Sequence, residues 1–367
     1  SMGIQAMASR AAVASVFKGP KYDTILALPE AKKVEVPQVE NSKKEIEEKE
    51  EIKENITEEN APEIIEESKE EIKEEIEPLF LQGKVADYIP ALANVDPNQF
   101  IMSIQLFDGT SYGIGEVDNK FSIQSISKVF TFTLALESYG AELYKRVGHE
   151  PSGNPFNSLV QLEYENGIPR NPFINAGAIV TADSLVSIYK KNTFDTILDF
   201  IKKTSNDETI SYDEEIFESE LANGFRNFAL INMIKSFNNI NNNIDEVIDT
   251  YFKQCSIMMN CSQLAKSMLF LANHGINPLT NEQIITESKA KRINSLMLTC
   301  GHYDASGDFA YKVGLPGKSG VGGGIVAVVP KKMTICVYSP KLNLQGNSLV
   351  GTIALELFTT KTGLSIF

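Results

Sequence analysis

The segment Phe121-Ser-Ile-Gln-Ser-Ile-Ser-Lys128 places a serine hydroxyl and a lysine amine three residues apart. It stands directly before the apolar run 129–136, which predicts the start of a helix, and helix positions i and i+3 share one face. Ser125 and Lys128 are therefore expected to lie side by side. A buried lysine that has lost its charge can take the proton of a serine and make its oxygen a nucleophile. The pair predicts acyl transfer that requires neither a metal ion nor a histidine.

The same Ser-x-x-Lys spacing recurs elsewhere in the chain, and the surroundings separate Ser125–Lys128 from two of those pairs. The pair Ser15–Lys18 lies in an N-terminal stretch of small residues with no apolar segment to bury an amine. The pair Ser187–Lys190 is followed by another lysine and an asparagine, which is typical of a solvated helix end. Of these three lysines, only Lys128 is expected to be buried by its neighbours.

The charge of the chain is concentrated in one segment. The 367 residues carry a formal net charge of -14, and the tract 43–77 contains 16 glutamates against 6 lysines, or -10. Outside this tract no basic patch with interleaved aromatic residues occurs, which argues against a nucleic-acid partner. No apolar run is long enough to cross a bilayer, so no membrane partner is expected. The 4 cysteines and 3 histidines fit no zinc spacing, and we expect no metal and no cofactor.

Composition divides the chain into two parts. Residues 1–77 are expected to form an acidic, Glu/Lys-rich appendage that is disordered or marginally helical, because a highly charged segment with few aromatic residues has little apolar surface to bury. Residues 78–367 predict the catalytic domain. Residues 7–18 resemble an organelle transit peptide only weakly, so the expected location is the cytoplasm.

Strand patterns stand at both ends of the second part, with helical patterns between them. The chain 99–107, a turn at Asp108-Gly109 and 111–115 predict one hairpin, and 324–329 with 333–338 predict another. Helical periodicity dominates five stretches, and two shorter helices are expected at 83–93 and 348–360. The five stretches are 125–139, 176–191, 226–237, 245–274 and 282–298. This order predicts an α+β fold of α/β/α type, with one antiparallel sheet built from both ends of the chain and a helical insertion.

Six further stretches are dense in glycine, asparagine, tyrosine and charged residues that a bare scaffold would not need. They are 147–158, 171–179, 219–227, 251–256, 300–307 and 314–325. Taken with the Ser125 segment, their order resembles that of the serine-dependent glutaminase family, which shares its core with serine β-lactamases and penicillin-binding proteins. The resemblance covers about 78–367. Within it, Lys318-Ser319-Gly320 is similar to the lysine-serine/threonine-glycine strand motif of the β-lactamase relatives.

The resemblance implies a reaction, a fold and a set of residues. The reaction is hydrolysis of L-glutamine to L-glutamate and ammonia, with Ser125 as nucleophile and Lys128 as general base. The fold is a β-lactamase-like antiparallel sheet flanked by helices, with a helical subdomain, and the expected assembly is a homodimer or homotetramer. Tyr251 or Tyr303 would relay a proton to the departing ammonia. The implied substrate contacts are Tyr88, Ser125, Asn175, Glu220, Asn227, Tyr251, Tyr303 and Val321.

The chemistry of these residues agrees with an amino-acid substrate. Glu220 suits an α-ammonium through a charge-assisted hydrogen bond, while Asn175 and Asn227 offer neutral donors to an α-carboxylate. The backbone N–H groups of Ser125 and Val321 are candidates for stabilising an oxyanion, and one such donor is typically worth about 3 kcal/mol.

Simpler structural roles and other functions stay open at this point. Taken singly, the glutamate could be a solvated charge at a helix start, the asparagines helix caps and the tyrosines packing residues. The alternative enzyme is another serine acyl hydrolase of the same fold, a β-lactamase or a peptidase. A third possibility, from a different class, is an assembly protein that recruits partners through its Glu/Lys tract.

Overall fold

A computed structural model describes residues 61–153, 155 and 157–367. The predicted transit-like segment and the acidic tract up to residue 60 lie outside these residues. The strands are β1 (Lys84–Val85), β2 (Ile101–Leu106), β3 (Ser111–Ile114), β4 (Phe121–Ser122), β5 (Ser211–Tyr212), β6 (Ile257–Met259), β7 (Ile276–Asn277), β8 (Glu282–Gln283), β9 (Gly317–Ser319), β10 (Gly324–Val329), β11 (Met333–Tyr338) and β12 (Lys341–Leu342).

Helices make up most of the remaining regular structure. They are α1 (Ala61–Ile76), α2 (Pro90–Ala93), α3 (Ser127–Tyr139), α4 (Leu159–Tyr164), α5 (Asn175–Tyr189), α6 (Thr193–Ser205), α7 (Glu214–Asn223), α8 (Phe225–Ser236), α9 (Ile244–Cys255), α10 (Cys261–Ser267), α11 (Leu269–Ala272), α12 (Glu287–Cys300), α13 (Ser306–Lys312) and α14 (Leu349–Thr362). None of the helices in the described part of the chain is long and apolar enough to cross a membrane.

The central sheet joins the two ends of the domain. Its five strands run antiparallel in the order β3-β2-β11-β10-β9, so the N-terminal hairpin pairs with the C-terminal one. In the register of the junction, Ile335 lies opposite Ile104. The predicted sheet and its two hairpins are therefore confirmed.

Helices cover both faces of this sheet, which is why its inner strands are apolar at successive positions. On β10, Val326 and Val328 point into a core formed with the large helical region. Their neighbours Ile325, Ala327 and Val329 point to the opposite face, into a core shared with α1 and α14. Successive side chains along the strand therefore pack into two different cores, one on each face of the sheet. The predicted α/β/α arrangement is confirmed.

Helix α1 packs as part of this second core, although its sequence was assigned to the acidic appendage. Ile65, Ile72 and Ile76 are buried against the sheet and α14, and Lys361 of α14 forms ion pairs with the acidic face of α1. Packed structure therefore extends N-terminal of the predicted boundary at residue 78, to residue 65 at least. The physical reason is the spacing of its isoleucines, which gives one apolar stripe on an otherwise charged helix.

The helical insertion differs from prediction in its boundaries. The stretch 245–274 is broken after α9, because β6 leaves the helix to pair with β4 and β5. Residues 83–93 hold β1, paired with β12, and the four-residue α2 instead of one helix. Helices α6 and α7 were not predicted.

Candidate active site

Ser125 stands in a tight turn between β4 and α3. A single 3₁₀ turn, Gln124–Ile126, links the strand to the helix, and Gln124 adopts a left-handed backbone with φ of 48°. A left-handed conformation is costly for a residue with a side chain, and such strain concentrates at functional sites. The turn leaves Ser125 with 7% of its surface exposed, on the wall of a cavity.

Lys128 lies in the first turn of α3 and is fully buried. Its Nζ donates hydrogen bonds to the carbonyl oxygen of Phe173 at 3.2 Å and to Oδ1 of Asn175 at 2.7 Å. Burial lowers the pKa of this amine from 10.5 to about 8, because the charged form loses its hydration. A neutral amine has two N–H groups and one lone pair. Two pure acceptors therefore satisfy both N–H groups and leave the lone pair to accept a proton.

A second buried lysine lies close to the first, and Tyr303 lies near both. The Nζ of Lys318 is 4.3 Å from the centre of the Tyr303 ring, and the Nζ of Lys128 is 5.7 Å from it. Lys318 lies on β9 and is fully buried. Its burial, and to a smaller extent the nearby charge of Lys128, holds the pKa of this amine well below its ordinary value. The Tyr303 hydroxyl hydrogen-bonds with the side chain of Ser125, while burial raises the pKa of the phenol. Two amines thus lie near one phenol within a buried cluster, and that phenol contacts the serine.

The cavity in front of Ser125 has a volume of about 340 Å³. Seven of the nine residues predicted for the site line it, and Lys128 and Tyr303 are buried side chains that do not. Its lining consists of Tyr88, Gln124, Ser125, Asn157, Asn175, Glu220, Asn223, Gly224, Arg226, Asn227, Tyr251, Cys255 and Val321.

One end of the cavity presents a buried carboxylate. Glu220, on α7, accepts a hydrogen bond from the Tyr88 hydroxyl at 2.9 Å, and that hydroxyl also lies 3.2 Å from Oε1 of Gln124. Half of the Tyr88 surface is exposed, so its ring faces solvent while its hydroxyl reaches inward. Burial raises the pKa of Glu220, and the hydrogen bonds from Tyr88 and Gln124 oppose that effect. A bound cation beside this carboxyl group would stabilise its ionised form.

Two asparagines connect the buried lysine to the cavity. Asn175 uses its Oδ1 for Lys128 and donates from Nδ2 to Oδ1 of Asn227 at 2.9 Å. This chain orients both amides, because each oxygen must face a donor. The predicted neutral donors are therefore not equivalent: one of the two N–H groups of Asn175 is used within this chain, whereas the Asn227 Nδ2 donates no hydrogen bond within it.

Tyr251 and Cys255 occupy successive turns of α9 on the cavity wall. Their side chains hydrogen-bond to each other, and burial raises the pKa of the Cys255 thiol to about 12. Burial likewise holds the pKa of Tyr251 well above its ordinary value. Tyr251 is a neutral hydroxyl at the cavity wall, whereas Tyr303 is the tyrosine that contacts Ser125.

Val321 lies in a glycine-rich turn that abuts the serine turn. A Cβ on Gly320 would lie 2.6 Å from the Ile123 carbonyl oxygen, and one on Gly322 would lie 2.6 Å from that of Ser122. Only glycine permits so close an approach of two backbones. The absence of side chains at these positions brings the Val321 backbone to the cavity beside Ser125.

Several lining residues were not predicted as site residues. Gln124 precedes the serine, and Asn157 and Arg226 lie inside the stretches 147–158 and 219–227. Their positions in these motifs could therefore have identified them as candidate site residues. Cys255 follows Tyr251 by one helical turn, a spacing that pointed to the same face. Among the described residues, no group of three or more His, Cys, Asp or Glu side chains is arranged to hold a metal ion.

Comparisons with known proteins agree on one family. The family model described as Glutaminase matches residues 83–367. A protein named Glutaminase from Aliarcobacter butzleri (strain RM4018) is 82% identical over 292 residues, covering 80% of this chain and 96% of that protein. One from Agrobacterium fabrum (strain C58 / ATCC 33970) is 56% identical over 287 residues, covering 78% of this chain and 93% of its own length.

Solved structures of glutaminases are also similar to this chain in sequence and in fold. A Bacillus subtilis glutaminase in covalent complex with 5-oxo-L-norleucine, formed by its reaction with 6-diazo-5-oxo-L-norleucine, has 34% identity and a TM-score of 0.74. The match covers 81% of this chain and 98% of that one. A probable Bacillus subtilis glutaminase has 34% identity and a TM-score of 0.75, with 81% and 96% covered.

Proposed function

Because this chain belongs to the glutaminase family and hydrolyses L-glutamine to L-glutamate and ammonia, we propose that the reaction proceeds through a glutamyl ester on Ser125, with Lys128 as general base. The observation that carries this proposal is the buried amine of Lys128, one helical turn from the serine and bonded to two acceptors. Burial alone shifts the protonation equilibrium of this amine toward the neutral form, without a partner residue that takes its proton.

Acylation begins when the Ser125 oxygen attacks the side-chain amide carbon and its proton passes to Lys128. The amide oxygen becomes an oxyanion, for which the backbone N–H groups of Ser125 and Val321 are the proposed donors. The close approach of the glycine-rich turn to the serine turn supports this pairing. Each well-placed donor contributes about 3 kcal/mol to stabilisation of the transition state.

Departure of ammonia requires a proton on the amide nitrogen. We assign its relay to Tyr303 in preference to Tyr251, because the Tyr303 hydroxyl contacts Ser125 and its ring lies near Lys128. The proton taken up by the lysine passes through the phenol to the nitrogen, and the C–N bond breaks. Water then enters, gives a proton to the neutral lysine and attacks the ester. The lysine returns that proton to the departing Ser125 oxygen, which releases L-glutamate and restores both residues.

The head group of the substrate occupies the far end of the cavity. Glu220, oriented by Tyr88, would receive the α-ammonium, and the Asn227 amide and the Tyr251 hydroxyl would donate toward the α-carboxylate. The pairing with an ammonium would offset the burial that raises the pKa of Glu220.

The test of the nucleophile compares Ser125→Ala with Ser138→Ala, a serine at the exposed end of the following helix, α3. We expect Ser125→Ala to release no ammonia from L-glutamine and to gain no mass on incubation with 6-diazo-5-oxo-L-norleucine. Ser138→Ala should match the unmodified protein in both measurements. Near-normal turnover by Ser125→Ala would disprove the ester mechanism.

We also propose that the protein forms a homodimer or homotetramer and is cytoplasmic. Exposed apolar side chains on α4 and at the start of α8 support self-association, since Val160, Tyr164 and Phe225 have 67%, 82% and 77% of their surfaces exposed. Four free, buried cysteines are in keeping with a reducing compartment. Light scattering coupled to gel filtration measures the assembly, and a monomer at micromolar concentration would contradict it.

A further inference from the structure

The formal charges on the cavity wall match those of a free amino acid. Among the described residues that line the cavity, Glu220 and Arg226 carry the charged side chains, and the others are neutral. A free α-amino acid likewise carries one ammonium and one carboxylate. Glu220 accounts for the ammonium, which leaves the carboxylate charge without an assigned cation.

Neutral donors alone do not balance that charge. The Asn175 amide accepts from Lys128 and donates to Asn227, so it offers at most one further N–H group, and that group is neutral. Lys128 is held by its own two acceptors beneath the cavity wall, and its proposed role requires the uncharged form. Hydrogen bonds that involve an ionised donor are about twice as strong as neutral ones, so a nearby guanidinium would add to what Asn227 supplies.

Arg226 is placed to supply this cation. It stands one residue before Asn227 in the first turn of α8, and it is an exposed residue that lines the cavity. Its Nη1 donates to the carbonyl oxygen of Asn157 at 3.3 Å, which uses one of the five N–H groups of a guanidinium. The remaining donors stay available to a carboxylate, and the fork of a guanidinium matches the two oxygens of that group.

We propose that Arg226 is a specificity-determining residue that recognises the α-carboxylate of the substrate at the opening of the cavity. This inference rests on the proposed function, since it assumes that glutamine lies with its amide at Ser125 and its head group toward Glu220. Arg226 acts on binding and takes no part in the chemistry at the amide. Its loss raises KM and leaves kcat within about twofold.

The experiment compares two substrates on four proteins. The substrates are L-glutamine and L-glutamine α-amide, in which a neutral carboxamide replaces the carboxylate. The proteins are the unmodified chain, Arg226→Gln, Arg226→Lys and Arg292→Gln. Arg292 is an exposed arginine on α12 that lines a separate cavity. Its replacement by Gln changes the net charge of the protein by the same amount as Arg226→Gln and therefore serves as the control. Ammonia release gives KM and kcat for each combination, at low and at high NaCl.

For L-glutamine we expect Arg226→Gln to raise KM about fivefold to tenfold, the size of one partly exposed charge-assisted contact. Arg226→Lys should recover most of the loss, and Arg292→Gln should change nothing. The α-amide should show the same KM with the unmodified protein and with Arg226→Gln. High NaCl should reduce kcat/KM of the unmodified protein more than that of Arg226→Gln, because salt screens the attraction.

Equal KM changes for both substrates, or none for either, would overturn the assignment of Arg226 while Ser125-dependent turnover persisted. Loss of Ser125-dependent turnover from the unmodified protein would instead refute the proposed function. The two failures are therefore distinguishable.

Discussion

The pH dependence of catalysis tests the protonation state of Lys128 directly. With a pKa of about 8, about a tenth of the amine is neutral at pH 7 and about nine-tenths at pH 9. If the neutral amine is the base, kcat/KM for L-glutamine should rise about tenfold between these values and then level off. An amine with the ordinary value of 10.5 would give a rise of about a hundredfold with no plateau. Initial rates of ammonia release in constant-ionic-strength buffers measure the profile. A flat profile from pH 6 to pH 10, or one still climbing tenfold per unit above pH 9, would refute the role of Lys128.

The same shift predicts a change in stability with pH. The unfolded chain keeps the lysine proton up to about pH 10.5, whereas the folded protein loses it at about pH 8. Between these values the unfolded state binds more protons, so the free energy of unfolding rises with pH. The gain amounts to about 2 kcal/mol from pH 7 to pH 9.5. The free energy of unfolding in urea is measured against pH for the unmodified protein and for Lys128→Met. The difference between the two isolates the contribution of Lys128, because the other titrating groups affect both proteins alike. A difference between the two that stays constant with pH would contradict the reasoning.

Three other perturbations have defined outcomes. Glu220→Gln should lower kcat/KM for L-glutamine about tenfold to a hundredfold by removing the charge that pairs with the substrate ammonium, and an unchanged value would exclude that role. Tyr303→Phe should lower kcat about a hundredfold or more with little change in KM, as measured by ammonia release, whereas a change confined to KM would argue against a proton relay. Deletion of residues 1–60 should leave the unfolding midpoint unchanged, while deletion of 1–77 removes three buried isoleucines and should cost roughly 5 kcal/mol in urea unfolding. Equal stability of the two truncations would show that α1 is dispensable.

Local pattern predicted the central sheet well. Strands β10 and β11 have the predicted bounds, because each is a run of β-branched and apolar residues that ends at a turn. The helix that carries Lys128 was also predicted, because the largely apolar run 129–136 follows the lysine, and nine of its 13 residues are buried. These elements depend on neighbours within a few positions, which a sequence displays.

Prediction was wrong where a distant partner decides the local structure. Residues 257–259 form a strand only because β4 and β5 lie on either side, although the surrounding stretch has helical periodicity. Helix α1 is similar: its charge predicts a solvated segment, and its three isoleucines become core residues only when α14 and the sheet are present. In both cases tertiary packing outweighed composition.

For the site, the chain alone determined which side chains are available and which two stand one helical turn apart. It could not determine their protonation or their partners. The amine of Lys128 is engaged by Asn175, which is 47 residues away, and Glu220 is bonded to Tyr88 across 132 residues. Burial and hydrogen bonding set a pKa, and both arise only when separate elements close around a group. The folded arrangement therefore decided which lysine is buried against two acceptors, which tyrosine contacts the serine and which charges line the cavity.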